Sequence, residues 1–361
     1  MGRSGLEPTG GEDDDSTDDD CGRVIDDTGN MEPKRMSLAL LPTPLDLAPR
    51  LSEAWGGPSI WFKRDDLAGF ALSGNKVRKL EFHLAAAHDA GATTLITCGA
   101  EQSNHCRATA IVAARVGLRC VLLLRNEDGR APASVTGNHL LQRLAGAEVR
   151  FITPDQYRER DVLMEDVRVE LAAAGETAWV VPEGASDHLG LLAFDHAFAE
   201  LAGQVEAQIG SPVTIWHASS SAGTTAGLAR GAERSRQTGG IDASIVAVSV
   251  GDSAEYLSKR VRTLLDEPSA DGFDARGAAF DVIDSYIGLG YGKTTDEELA
   301  VQVEGTRLTG MLWDPTYTGK ALYALKREID RGRFGPDDHV VFWHTGGGFS
   351  VFAHDFSGVL D

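Results

Sequence analysis

The sequence predicts an α/β fold of two lobes built on open, twisted, mostly parallel sheets, and three observations carry that expectation. The chain has 361 residues, more than one compact domain usually holds, so two cores with a cleft between them are expected. Apolar strand-like runs alternate with amphipathic stretches along most of its length. The runs are apolar on consecutive residues, as in Cys120-Val121-Leu122-Leu123-Leu124, which suits parallel strands covered by helices on both faces.

Strands are expected at Thr93 to Cys98, Arg119 to Leu124, Val149 to Ile152, Ala178 to Val181, Thr214 to His217, Ile245 to Val250 and Val340 to Trp343. Between the runs, Val77, Leu80, Leu84 and Ala87 share one face of a helix that should stop near Gly91. A second helical pattern covers Ala108 to Val116. No repeat of fixed period is visible.

Composition narrows the function. Apolar residues make up 42% and charged residues 24% of the chain, ordinary for a soluble globular protein. No apolar run approaches the roughly 20 residues needed to cross a bilayer. A formal charge of -20 repels polyanions and argues against nucleic acid, leaving a small molecule as the expected partner. The acidic excess and only eight lysines fit adaptation to high salt. Cys21, Cys98, Cys106 and Cys120 lie in no metal-ligand spacing and form no disulfide framework, so a reducing cytoplasm and no metal are expected. Residues 1–35, with Glu12-Asp13-Asp14-Asp15 and Asp18-Asp19-Asp20, read as a disordered acidic tail. A partner-binding arm is the alternative there, and translation could begin at Met31 or Met36. Nothing at the N-terminus has the pattern of a secretory signal.

Three strand-to-helix junctions are unusually polar, and in open α/β sheets ligands bind at such junctions. Lys76 follows Gly74 and Asn75 at a helix start, where the backbone can turn tightly and an amine can point into a cleft. Taken alone, it reads as a solvated charge, a fate that Arg78 and Lys79 could share. Gly99-Ala100-Glu101-Gln102-Ser103-Asn104-His105 offers hydroxyl, amide and free N–H groups to a carboxylate, although Ser103 or Asn104 could simply cap a helix. Ala218-Ser219-Ser220-Ser221-Ala222-Gly223-Thr224-Thr225-Ala226-Gly227 lets backbone N–H groups converge on a phosphate, without being a P-loop or a full G-x-G-x-x-G; an ordinary flexible loop is its alternative. An amine, a carboxylate loop and a phosphate cradle are what an enzyme needs to join pyridoxal phosphate to an amino acid.

The runs Leu41-Pro42-Thr43-Pro44-Leu45, Lys63-Arg64-Asp65-Asp66, Ser73-Gly74-Asn75-Lys76-Val77-Arg78-Lys79-Leu80, Gln102-Ser103-Asn104-His105, Asp314-Pro315-Thr316-Tyr317-Thr318-Gly319-Lys320 and His344-Thr345-Gly346-Gly347 resemble, in order, the family of D-cysteine desulfhydrases and 1-aminocyclopropane-1-carboxylate (ACC) deaminases. The resemblance implies a pyridoxal-phosphate dependent, tryptophan-synthase-β-like fold, as a homodimer. Residues 36–88 and 200–361 would form a large cofactor-binding domain and 89–199 a small one. It implies that Lys76 carries the cofactor as a Schiff base and is the general base. Asn104 would contact the ring hydroxyl, and Ser221, Ala222, Gly223, Thr224 and Thr225 would hold the phosphate. Ser103, Asn104 and His105 would bind the substrate carboxylate, with Thr345 also beside the substrate, and Tyr291 and Tyr317 would be the two active-site tyrosines. The phosphate loop departs from the common Gly-Ser-Gly-Gly-Thr form.

Family ACC deaminases usually carry Glu and Leu where this chain has Thr318 and Thr345. Threonine at both positions, with His105 in place of a common Gln, resembles the desulfhydrase side. A hydroxyl at Thr318 would pair with an unprotonated ring nitrogen, a weaker electron sink that suffices to expel a thiol. The expected reaction is β-elimination of D-cysteine to pyruvate, ammonia and hydrogen sulfide. L-cysteate sulfo-lyase and ACC deaminase are the alternatives within the family; sulfonate binding would favour extra positive charge near the β position, which no motif supplies. A non-catalytic amino-acid sensor or an interaction protein would have no use for Lys76 beside Gln102-Ser103-Asn104-His105.

Overall fold

The computed structural model describes residues 34–210, 212–268 and 271–360. The expected acidic tail and Cys21 lie outside these residues, apart from the last two tail positions. Ten strands lie among the described residues: β1 Leu45–Leu47, β2 Ser59–Lys63, β3 Thr94–Ala100, β4 Arg119–Arg125, β5 Glu148–Ile152, β6 Ala178–Val180, β7 Val213–Ser219, β8 Ala243–Ser249, β9 Asp281–Ile283 and β10 His339–Trp343. They form a six-stranded sheet in the order β1-β2-β10-β7-β8-β9 and a four-stranded sheet in the order β5-β4-β3-β6. Every pairing is parallel except β1 with β2, so the predicted α/β class with mostly parallel sheets holds.

Each run read as a strand is one. Within β4 the side chains alternate between two apolar layers: Cys120, Leu122 and Leu124 pack with the helices Lys76–Asp89 and Asn104–Arg115, while Val121 and Leu123 pack with Arg160–Ala173. That period of two with both faces apolar is why the run reads as continuously hydrophobic. The larger sheet is likewise covered twice, by His188–Gln208, Gly223–Gln237 and Ala254–Asp266 on one side and by Pro49–Trp55 and Thr318–Asp330 on the other. The helix carrying Lys76 ends at Asp89, close to its expected stop at Gly91.

Strand order determines where a ligand can sit. In the small sheet the order reverses at β3, whose neighbours are β4 and β6; in the large sheet it reverses at β7, flanked by β8 and β10. Crevices open at the carboxyl ends of strands at such switch points. The loops there are those holding Ser103 after β3, Glu183 after β6, Ser221 after β7 and Thr345 after β10.

A buried ionic network holds the start of the Lys76 helix to the large sheet. Arg78 makes a two-pronged contact with Asp65, Nε to Oδ2 at 3.0 Å and Nη2 to Oδ1 at 2.8 Å, and its Nη1 reaches Glu200 Oε2 at 2.9 Å. Lys63 donates to Glu200, to the Thr43 carbonyl at 2.7 Å and to Gln204 Oε1 at 2.6 Å. Trp343 Nε1 donates to Asp65 Oδ2 at 2.8 Å. Arg78 and Lys79 are therefore not the solvated charges their position suggested: both are buried, Lys79 completely.

Candidate active site

A cavity of about 380 Å³ opens at these strand ends. Its walls include Lys76, Ser103, Asn104, His105, Ser221, Ala222, Thr224, Tyr291, Tyr317 and Thr345. Of the residues singled out in the sequence, Gly223, Thr225 and Thr318 lie behind that surface.

Four separate motifs meet here because their loops interlock. A Cβ on Gly74, whose φ is +106°, would lie 2.5 Å from the Thr345 carbonyl, and one on Gly346 would lie 2.5 Å from the Gly74 Cα. Only glycine allows that approach. The Asn75 N–H donates to the Thr345 carbonyl at 3.2 Å and the Asp66 N–H to the His344 carbonyl at 3.1 Å. Asp314 closes the ring: its Oδ2 accepts from Asn104 Nδ2 at 3.1 Å and from Ser350 Oγ at 2.8 Å. Asn104 Oδ1 in turn accepts from Asn138 Nδ2 at 2.9 Å.

Lys76 begins its helix and turns its amine into the cavity, 3.2 Å from Asn75 Oδ1. What surface it keeps faces that cavity, and burial lowers its amine to about 8 despite the pull of Glu183 and Asp314. A fraction of it is thus an uncharged nucleophile and base near neutral pH, which a solvated lysine is not.

Ser103 caps the helix Asn104–Arg115, its Oγ accepting the Cys106 N–H at 3.2 Å. The hydroxyl proton stays available, as do the first N–H groups of the helix, which lack intrahelical partners. Capping the helix therefore does not use up the donors that a carboxylate would need. At His105 the ring and the backbone separate in what they can offer. Its Nε2 lies 2.7 Å from Thr97 Oγ1, whose own proton goes to the Val181 carbonyl at 2.8 Å, so Nε2 must be the protonated nitrogen. Nδ1 has no partner, and burial, then the charge of Lys76, push the ring far toward its neutral form. The side chain has no proton to offer a carboxylate; only its backbone N–H does.

The loop after β7 turns into the helix Gly223–Gln237 through Ala222, held at φ +74°, a conformation that costs a non-glycine residue roughly 1 kcal/mol or more. Beside it is a group that no motif marked. Lys79 Nζ, fully buried, donates to the Gly184 carbonyl at 3.2 Å and to Ser186 Oγ at 3.1 Å, both neutral. Ser186 Oγ lies 2.7 Å from Ser221 Oγ and accepts the Gly223 N–H at 3.3 Å. A Cβ on Gly223 would lie 2.9 Å from Lys79 Nζ. A buried amine with neutral partners, which an anion would favour in its charged form, together with hydroxyls and a helix N-terminus, makes a seat for a dianion, and with Lys76 in the same cavity the residues fit pyridoxal phosphate. Thr225 instead bonds Ser219 Oγ at 2.8 Å beneath the loop.

Tyr291 and Tyr317 share a hydrogen bond of 2.6 Å between their hydroxyls. Lys320 fixes the loop before Tyr291 by donating to the carbonyls of Ile287 at 2.5 Å and Gly290 at 2.7 Å. Burial raises both phenols, so both stay protonated at neutral pH and can donate. Thr318 is fully buried, its Oγ1 accepting the Asp314 N–H at 2.8 Å; of the two threonines, only Thr345 reaches the cavity surface. Cys98 and Cys106 are buried thiols whose surroundings push their ionisation up, as expected of packing rather than reactivity.

The family described as pyridoxal-phosphate dependent enzyme matches residues 36–346. D-cysteine desulfhydrases from Salmonella paratyphi A and Salmonella newport are each 38% identical over 323 residues, covering 89% of this chain and 96% of theirs. A solved ACC deaminase homologue superposes with a TM-score of 0.76 at 31% identity, over 88% of this chain and 93% of its own. A fungal L-serine ammonia-lyase from Rhizomucor miehei, TM-score 0.60 at 16% identity over 87% of this chain and 96% of its own, shares the fold. With cavity, lysine and dianion seat agreeing, the chain belongs to the pyridoxal-phosphate dependent enzymes, among the relatives of D-cysteine desulfhydrase and ACC deaminase.

Proposed function

We propose that the protein is a carbon–sulfur lyase that converts D-cysteine into pyruvate, ammonium and hydrogen sulfide, with pyridoxal phosphate carried by Lys76. The observation that carries the reading is the Lys76 amine, lowered to about 8, in one cavity with the Ser103 cap and the Tyr291–Tyr317 pair. The substrate rests on the desulfhydrase relatives.

The bound cofactor supplies an electron sink for the charge left on Cα. Lys79, Ser186, Ser221 and the N–H groups at the start of Gly223–Gln237 would hold its phosphate, and Asn104 would meet its ring. Ser103 Oγ and the N–H groups of Asn104 and His105 orient the substrate carboxylate. That leaves the Cα proton to the Nζ of Lys76, which is basic only while uncharged. The tyrosine pair keeps a phenolic proton beside the leaving sulfur. Thr318, behind the cavity wall, puts no carboxylate where family ACC deaminases carry Glu, so nothing there would keep the ring nitrogen protonated, and a thiol, of ordinary pKa about 8.5, leaves without a stronger sink.

The reading extends to a homodimer in the cytoplasm, with residues 36–88 and 200–361 as the cofactor lobe and 89–199 as the smaller one. Free thiols at Cys98, Cys106 and Cys120 support a reducing compartment. Phe70, 88% exposed and edge-on to Phe349, offers apolar surface to a second copy.

The test is a panel of D-cysteine, L-cysteine, L-cysteate, β-chloro-D-alanine and ACC, assayed for keto acid and for sulfide at low and high salt. D-cysteine should give both products in equal amounts. Turnover of ACC alone overturns the proposal.

A further inference from the structure

Behind the cavity wall a run of side-chain hydrogen bonds joins Arg107 to Asp314 through Asn138 and Asn104. Arg107, Asn138 and Asp314 are all fully buried. Arg107 lies one turn after Asn104 on the helix Asn104–Arg115. Its hydrogen-bond partners are neutral: the Ala71 carbonyl, the Ser73 carbonyl at 2.7 Å, and Asn138 Oδ1, which accepts from Nε at 3.2 Å. Asn138 Nδ2 donates to the Gln102 carbonyl at 3.0 Å and to Asn104 Oδ1 at 2.9 Å. Asn104 Nδ2 then donates to Asp314 Oδ2 at 3.1 Å. The helix start that bears Asn138 is pinned in place, since its N–H donates to Gln102 Oε1 at 2.9 Å and a Cβ on Gly137 would lie 2.6 Å from that same oxygen.

The two ends of this relay set its direction. A guanidinium only donates, and Asp314 accepts in all three of its contacts, from Asn104, from Ser350 Oγ and from the Tyr317 N–H. Burial pushes the Asp314 carboxyl up, and these donors oppose it. Burial also lowers Arg107 to about 10 against the pull of Asp314, which leaves it charged at neutral pH. Each amide can therefore stand only one way round, oxygen toward Arg107 and nitrogen toward Asp314, and a buried chain of this kind polarises its members in one sense. Asn104, on the cavity wall, turns its oxygen to Asn138 and keeps a second Nδ2 proton that has no partner among the described residues. We propose that Arg107 and Asn138 are positioning residues that fix Asn104 as a hydrogen-bond donor, never an acceptor, toward the ring oxygen of the cofactor, and so keep that oxygen ionised. This rests on reading the cavity as a pyridoxal-phosphate site with Asn104 at the ring. An ionised ring oxygen favours a proton on the Schiff-base nitrogen, the form that a substrate amine attacks.

Cofactor absorbance of the holoenzyme at pH 7, rather than turnover, is the readout. Asn138→Asp keeps the shape and gives Arg107 a carboxylate to hold, yet beside that cation it stays ionised and cannot donate to Asn104. Both Asn104 protons are then drawn to the carboxylates on either side. The ratio of the long-wavelength band, which marks an ionised ring oxygen, to the short-wavelength band should fall about tenfold, the weight of one hydrogen bond to a charged acceptor. The same exchange made on top of Asn104→Ala should change the ratio no further. Should Asn138→Asp not fold, Asn138→Ala, which removes the donor without adding a charge, makes the same comparison with the same expectation. An unchanged ratio, or an equal fall with the Asn104 amide already gone, overturns the relay. Bands that respond as expected in a holoenzyme that yields no sulfide from D-cysteine would keep the relay and sink the lyase reading.

Discussion

Replacing Lys79 by methionine should act in opposite directions on the empty and loaded protein. Without cofactor the amine is buried, its two acceptors, Gly184 O at 3.2 Å and Ser186 Oγ at 3.1 Å, are neutral, and burial followed by the charge of Lys76 drives it well below its ordinary pKa. Burying an ion costs several kcal/mol, whereas the two hydrogen bonds contribute about 1 kcal/mol each. Lys79→Met keeps the volume and removes an amine that is costly to bury whether it keeps or gives up its proton, so the cofactor-free protein should gain about 1–3 kcal/mol, raising Tm by up to about 4 °C for a chain of this size. The loaded protein loses instead a charge-assisted bond to phosphate, about 1.5–3 kcal/mol, or roughly ten- to 150-fold in cofactor affinity. Melting curves with and without pyridoxal phosphate, and a cofactor titration followed by absorbance, measure both halves. A lower Tm of the cofactor-free variant with unchanged affinity would show Lys79 to be a structural cation, and the dianion seat would be wrong.

Two further expectations concern Lys76 and Glu200. Because burial holds the Lys76 amine at about 8, uptake of cofactor by the stripped protein should quicken as pH rises toward that value and level off above it; a rate still climbing at pH 10 contradicts the lowered amine, and Lys76→Ala should bind cofactor without the internal Schiff-base absorption band. Burial pushes the Glu200 carboxyl up, but hydrogen bonds and charges from Arg78 and Lys63 win and hold it at about 2 against an ordinary 4.5. Its folded value is the lower one, so its contribution to stability is complete above about pH 4.5 and is lost as pH falls toward 2. Glu200→Gln removes that window and leaves Lys63 and Arg78 short of a partner, costing about 3 kcal/mol in urea unfolding at pH 7; a loss under 1 kcal/mol there would refute the network's role.

The fold was legible where one strand carries its own signal. Cys120 to Leu124 needs no partner to read as buried, because both of its faces are apolar. The strand β2, Ser59–Lys63, was not read, since Lys63 ends it with a charge and Ser59 begins it with a hydroxyl. Its burial depends on Glu200, 137 residues away, and such a partner leaves no local trace. β1 and β9, three residues each and each carrying an Asp, lack the unbroken apolar run that marked β6, which is as short. The same limit divides the site. Lys76, Ser103 and the Ser221 loop announced themselves as polar junctions after strands. Lys79 did not, because Ser186 is 107 positions along the chain. The proton on the His105 ring leaves no local trace for a related reason: only the Thr97 hydroxyl, already committed to a carbonyl, shows which nitrogen holds it.

The motif glycines and charges that surround Lys76 therefore separate into two tasks. Gly74, Gly346 and Asp314 bring loops from three parts of the chain within a backbone's thickness, and Asp65, Arg78 and Glu200 lock the same helix to the large sheet from the other side. None of these six touches the cavity surface. Their effect is to hold Lys76 at a helix start whose neighbours do not move. The amine is then held at about 8 because the packing around it leaves it little solvent, against the upward pull of Glu183 and Asp314. Reactivity at this lysine is thus a consequence of packing at residues that do no chemistry. That explains why Lys76 means little on its own in the sequence and much once its surroundings are assembled.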